Sequence, residues 1–180
     1  HWNEVCLVDV TYEATEMGIV RNGVLRYCTH STMGTHTVIR RLAEVIDLPP
    51  GHVLSQLTET SPTDFIASLP KKFQAEATAV VDEYIASLRE IFTETGDTLA
   101  VPKSIMVHTE RQFEQCWTKL IAAAASKATG LTHTVTPITS LLVDELQAAH
   151  TGHKTNPILT DTAMLVSAYA YHPEKRRGNR

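Results

Sequence analysis

The sequence predicts an α/β fold. A three-stranded antiparallel meander is extended by later strands, flanked by helices and interrupted by a mostly helical insertion. Three observations predict it. Val5-Cys6-Leu7-Val8 is apolar at every position and runs into Asp9, which suits a strand buried on both faces. Asn22-Gly23 lies between two extended segments, Thr15 to Arg21 and Val24 to Ser31. That dipeptide favours a type I′ hairpin turn, because both central residues need positive φ. After the meander, Val38, Ile39, Leu42, Ala43 and Ile46 recur at helical spacing, the apolar stripe of a helix laid on a sheet.

Taken in order, the first strand ends at Asp9, at the mouth of a turn over Val10 to Ala14. Met17, Ile19 and Arg21 share one face of the second strand. The helix that follows is entered through Ser31 to Thr35, with Thr35 or Thr37 able to cap its first amides. Pro49-Pro50-Gly51 ends it. From there to Gly96 the pattern is helical. A short helix is expected over Gly51 to Glu59. Another opens at Ser61-Pro62-Thr63-Asp64, with proline in its first turn. A long one covers Lys71 to Glu94, with Phe73, Ala77, Val80, Tyr84, Leu88 and Ile91 as its core stripe. Thr95-Gly96-Asp97 is expected to close it with a left-handed residue.

Strand character returns at Ser104 to His108. Thr109-Glu110-Arg111-Gln112 has the form of a capping box, and Phe113, Cys116, Trp117, Leu120, Ile121 and Ala124 line the next helix, which Gly130 stops. Thr132 to Thr136 reads as a strand and Ile138 to Ala149 as a helix. Thr151-Gly152-His153 is a turn, and Thr160-Asp161 caps a last helix over Ala163 to Tyr171. Glu174 to Arg180 is a basic tail expected to be disordered; as an alternative to a plain solvated terminus it offers a weak electrostatic hold on anionic lipid.

At 180 residues with 43% hydrophobic content, the chain suffices for one domain with a real core or one lobe of a larger protein. A net charge of −4 gives no reason to expect nucleic acid as a partner. No apolar run approaches the roughly 20 residues of a membrane-spanning helix. The chain begins almost directly on a strand, without an initiator methionine, so a further segment is expected upstream. The 3 cysteines, Cys6, Cys28 and Cys116, read as small buried hydrophobes. Cys6 and Cys28 would be separated by an intervening strand, roughly 9–10 Å apart, too far to bridge. A reducing, cytoplasmic setting fits. His150-x-x-His153 lacks a third ligand at a sensible spacing, so no metal site is expected. His30, His36 and His108 all fall near strand ends and read as a polar rim.

The order of elements, with three short motifs, resembles one half of an actin-like ATPase, the RNase H-like lobe of the branch that includes FtsA and PilM. The motifs are Asp9-Val10-Thr11-Tyr12-Glu13-Ala14-Thr15, set against the branch's D-x-G-x-x-x-T, then Asn22-Gly23-Val24-Leu25, then Met33-Gly34-Thr35-His36. The resemblance implies that residues 1–48 and 100–172 form the RNase H-like subdomain, that 49–99 is an inserted helical subdomain, and that 173–180 is a tail. It implies ATP and Mg²⁺ as cofactors, Asp9 as the catalytic carboxylate, and Thr11, Tyr12, Thr15, Gly34, His108 and Thr109 as the nucleotide-contacting residues. In such a site a turn of backbone N–H groups cradles phosphate and an aspartate orders the metal or the attacking water.

Three departures point away from nucleotide. Thr11 replaces the first glycine of the turn, and Glu13 and Glu16 add negative charge beside it. His108-Thr109-Glu110-Arg111 stands where a Gly-Gly pair should follow the late strand. Val53 to Glu59 lacks the Ala-Glu…Lys pattern. Weak or lost ATP binding is therefore expected. The implied function is a scaffolding or assembly lobe in a cytoplasmic, membrane-associated machine of the cell-division or type IV pilus kind. Its partners would be proteins or further copies, a missing N-terminal lobe, and the inner face of the membrane as a peripheral contact. The alternative is an active ATP-binding half whose cleft needs that missing lobe. A kinase-like or chaperone-like half would need phosphate-gripping glycines that the sequence lacks.

Overall fold

The computed structural model describes residues 4–138. Five strands form one sheet in the order β3-β2-β1-β4-β5: β1 (Glu4–Val10), β2 (Thr15–Arg21), β3 (Val24–Ser31), β4 (Ser104–His108) and β5 (Thr134–Pro137). The meander is antiparallel, whereas β4 and β5 join it in parallel. Between β3 and β4 come α1 (Thr35–Ile46), α2 (Pro50–Glu59), α3 (Pro62–Ser68) and α4 (Lys71–Thr98), and α5 (Glu114–Thr129) links β4 to β5.

The register decides which residues meet the helices. Cys6, Val8 and Val10 stand opposite Ile19, Met17 and Thr15, and Ile105 and Val107 continue the rows on β4. All of these are buried. Cys6, Val8, Val10, Met17, Ile105 and Val107 share one core with Leu42 of α1, Val53 and Leu57 of α2, Phe65 of α3, Tyr84 and Leu88 of α4, and Trp117 and Ile121 of α5. Full burial of an aliphatic or aromatic side chain is worth about 1.5–3 kcal/mol. On the opposite face the alternate residues are more polar or more open, with Leu7 38% exposed.

The hairpin forms as its sequence demands: Asn22 and Gly23 have φ of 53° and 74°. A bulge between Ile19 and Val20 leaves Arg26 without a β2 partner. Such a bulge at an edge strand twists it away from further pairing.

Several expectations are corrected by packing. Neither Thr35 nor Thr37 caps α1; Gly34 is the cap residue and supplies no side chain. Asp47, left-handed at φ 53°, ends the helix before the prolines. α4 does not stop at Glu94. Phe92 and Thr95 extend its buried stripe, the Thr95 hydroxyl donates to the Ile91 carbonyl at 2.7 Å, and Gly96 is helical. The Thr109–Gln112 capping box does not form. A 3₁₀ turn over Arg111–Phe113 intervenes, with Gln112 donating to the Glu110 carboxylate instead. β5 begins at Thr134 rather than Thr132 because His133 turns inward, bridging the Thr129 hydroxyl and the Pro102 carbonyl. Cys6 and Cys116 are buried as expected, but Cys28 is exposed, since it lies on the edge strand facing away from the helices. The helix expected over 138–149, the turn at 151–153, His150 and His153, the last helix and the basic tail lie beyond the described residues.

Candidate functional site

The carboxyl ends of the parallel pair β1 and β4 converge on Asp9 and His108, which are register neighbours. The imidazole Nδ1 lies 2.7 Å from Asp9 Oδ1. The Asp9 side chain keeps 46% of its surface exposed, and His108 keeps 22%. On the other side of Asp9 the register places Glu16, and beside Glu16, His30. One row across the sheet therefore reads His30, Glu16, Asp9, His108. His30 and His108, two of the histidines read as a polar rim, stand at the two ends of this row. His36 leaves the row for α1, where its Nδ1 lies 3.7 Å from Glu13. Among the described residues, no group of three or more His, Cys, Asp or Glu side chains is placed to hold a metal ion.

The turn after β1 is held internally by Thr11. Its amide and its hydroxyl both donate to the Ala14 carbonyl, and the Ala14 amide donates back to the hydroxyl. This compact turn sits on the start of α1. The Thr35 amide donates to Thr11 O and the His36 amide to Tyr12 O, each at 3.0 Å. These are amides that a helix N-terminus leaves without intrahelical partners, and the ones an anion would ordinarily use. Gly34 permits the approach. A Cβ built there would lie 2.5 Å from Thr11 O, Tyr12 O and Ala14 N. Above the joint, the exposed Tyr12 ring stacks on His36 with centroids 4.6 Å apart. Below it, the Thr35 hydroxyl is buried without a hydrogen-bond partner among the described residues.

Of the residues singled out from the sequence, Asp9, Thr11, Tyr12, Gly34 and His108 therefore meet around one turn and one strand end. Thr15 and Thr109 do not reach solvent, at 0% and 1% exposure. The Thr15 hydroxyl lies between Met33 O, at 2.8 Å, and the Tyr84 hydroxyl, at 2.9 Å. Tyr84 also accepts from Trp117 Nε1 at 3.0 Å, and burial pushes its phenol far above the ordinary range, against the two hydrogen bonds. A second tie joins α1 to α4, where Arg41 grips Glu83 through two bonds of 2.6 Å. That hydrogen bond holds the Glu83 carboxyl below its usual range.

In the sequence Tyr84 reads only as part of an apolar stripe. Its sole polar signal is that a buried tyrosine hydroxyl seeks a partner.

No family profile matches the chain, and no curated protein does. Solved structures do. Ethanolamine utilization protein EutJ from Carboxydothermus hydrogenoformans superposes with a TM-score of 0.51 at 14% identity, over 75% of this chain and 44% of that one. A PilM-PilN type IV pilus biogenesis complex gives 0.53 at 13% identity, over 75% and 35%. A Bacillus thuringiensis ParM hybrid protein with ADP gives 0.54 at 9% identity, over 94% and 24%. The fold is the actin-like ATPase fold. The expected fold class is thus found, and the chain spans less than half the length of each of these proteins. In this fold Asp9 is the penultimate residue of the first strand of the meander, and the 11–14 turn follows Val10 directly.

Proposed function

We propose that this chain is part of an actin-like ATPase-fold protein that serves as a scaffolding or assembly lobe, with nucleotide binding weak or lost. One observation carries the second half of that reading. The Thr35 and His36 amides at the start of α1 already bond the carbonyls of the chain's own turn, so the donors that would cradle a phosphate are taken. Glu13 and Glu16 add further carboxylates around Asp9, with His30, His36 and His108 as their neighbours among the described residues. A triphosphate would have to displace two backbone hydrogen bonds and enter an acidic neighbourhood. The groups present do not fit it, and no hydrolytic step is assigned to this chain alone.

The setting is a cytoplasmic machine at the inner face of a membrane, of the cell-division or type IV pilus kind. Likeness to a PilM-PilN complex supports that choice. The partial coverage of each neighbour supports an additional N-terminal lobe as the first partner, with further protein partners or copies beyond it. Residues 1–48 and 100–172 are assigned to the RNase H-like subdomain, 49–99 to the inserted helices and 173–180 to a tail. No helix among the described residues is long and apolar enough to cross a membrane, so membrane contact is assigned as peripheral.

A second reading has its own observations. The half-exposed Asp9 carboxylate and the buried Thr35 hydroxyl, without a hydrogen-bond partner among the described residues, favour an ATP-binding half completed by the other lobe. Titrating the full-length protein with a fluorescent ATP analogue and Mg²⁺ separates the two. The scaffolding reading expects no saturation at micromolar nucleotide. Micromolar, Mg²⁺-dependent binding that is lost in Asp9→Ala would overturn it.

A further inference from the structure

One face of α4 carries Glu83, Tyr84 and Ser87 toward the elements that seat the 11–14 turn. The connections converge on Met33, the residue before Gly34. The Met33 carbonyl accepts from the Thr15 hydroxyl at 2.8 Å, and Thr15 meets Tyr84 at 2.9 Å. The Met33 amide donates to Ser31 Oγ at 3.2 Å, and Ser31 Oγ lies 2.5 Å from Ser87 Oγ. Both backbone polar groups of one loop residue are thus held by hydroxyls that end on α4.

The protons fix the direction of the first relay. An indole N–H only donates, so Trp117 donates to Tyr84. A carbonyl only accepts, so Thr15 gives its single proton to Met33. Tyr84 must then donate to Thr15. The chain runs Trp117 to Tyr84 to Thr15 to Met33, with Trp117, Tyr84 and Thr15 each at 0% exposure. Dry hydrogen bonds in series strengthen one another, and any break leaves a buried group unmet. The Arg41–Glu83 fork holds the same turn of α4 to the body of α1.

We propose that α4 is the arm of a clamp on the Met33–Gly34 loop, so that a load placed on the helices of 49–99 by a neighbouring lobe or protein partner is transmitted to the turn beside Asp9. The clamp is independent of whether nucleotide binds, and its test uses none.

The test is residue-resolved amide exchange on the full-length protein. The reporters are the Thr35 and His36 amides, which exchange only when the turn lifts from α1. The Val107 amide, in a central buried strand, reports global opening. In Tyr84→Phe the Thr35 and His36 amides should exchange about tenfold faster relative to Val107, the range set by one net hydrogen bond. Equal acceleration at all three amides would mean that Tyr84 merely stabilises the fold, and would overturn the clamp. Ser87→Ala cuts the other relay at a less buried site and serves where Tyr84→Phe does not fold. It should raise the same ratio by roughly threefold, and an unchanged ratio counts against the proposal.

Discussion

Replacing Gly34 by alanine should destabilise the protein through contact alone. The backbone there is extended, at φ −113° and ψ −169°, a conformation open to any residue. The added methyl would nevertheless lie 2.5 Å from three backbone atoms of the turn, where ordinary contact begins at 3.4 Å. The turn must therefore retreat by about 0.9 Å, the difference between those two distances. Its bonds to the Thr35 and His36 amides, now 3.0 Å each, would stretch to nearly 3.9 Å, beyond hydrogen-bond range. Losing two net hydrogen bonds costs about 1–3 kcal/mol, and residual overpacking adds about 1–3 kcal/mol. The stiffer unfolded chain returns only about 0.4–1 kcal/mol. The expected outcome is a loss of about 1–6 kcal/mol, seen as a fall of about 0.5–3 M in the urea midpoint for a slope near 2 kcal/mol per molar. Amide exchange at Thr35 and His36 should accelerate in the same variant. A change below about 0.5 kcal/mol, within the usual spread of neutral surface substitutions, would show that the turn does not dock as described.

Three other outcomes are expected. Gly96→Ala, exposed on helical α4 with nothing within 4 Å of the added carbon, should stabilise by about 0.5–1 kcal/mol; thermal unfolding checks it, and a loss would mean that the helix ends earlier. Under native conditions a thiol reagent should label Cys28 alone, because burial pushes Cys6 and Cys116 up to about 12 and removes their thiolates; mass mapping of the adducts decides it. The stabilisation from Arg41–Glu83 should fade in acid. Hydrogen bonding to Arg41 depresses the Glu83 carboxyl, so its contribution is full above the ordinary glutamate range and disappears as pH falls through the lowered value. The melting-temperature gap between the protein and Glu83→Gln should therefore close on acidification, and a gap independent of pH would rule the carboxylate out.

The meander was legible because its signals are local: an Asn-Gly turn and apolar residues at strand spacing. The helices were legible for the same reason, and misread where local rules were the weaker force. Gly96 looked like a stop, yet Phe92 and Thr95 keep burying the same face and hold the helix open for another turn. Asp9 and His108 could each be placed at a strand end, but their pairing depends on parallel register between strands 99 residues apart. The docked turn was the least visible feature. It is built from carbonyls and amides, which every residue carries, and its one side-chain signature is the absence of a side chain at Gly34. Tyr84 signalled only that a buried hydroxyl needs a partner, not which one, because that partner, Thr15, lies 69 residues away.

The parallel contact between β1 and β4 has a consequence in time. A chain leaving the ribosome at about 5–20 residues per second completes its hairpins almost at once, since such turns close within microseconds. The flank of β1 that receives β4 must then stay bare for several seconds or more while the intervening helices are synthesised. Arg26, standing unpaired in its bulge at the opposite margin, makes that far margin a poor template for strangers, so the vulnerable side of the newborn sheet is the one its own later strand is due to claim.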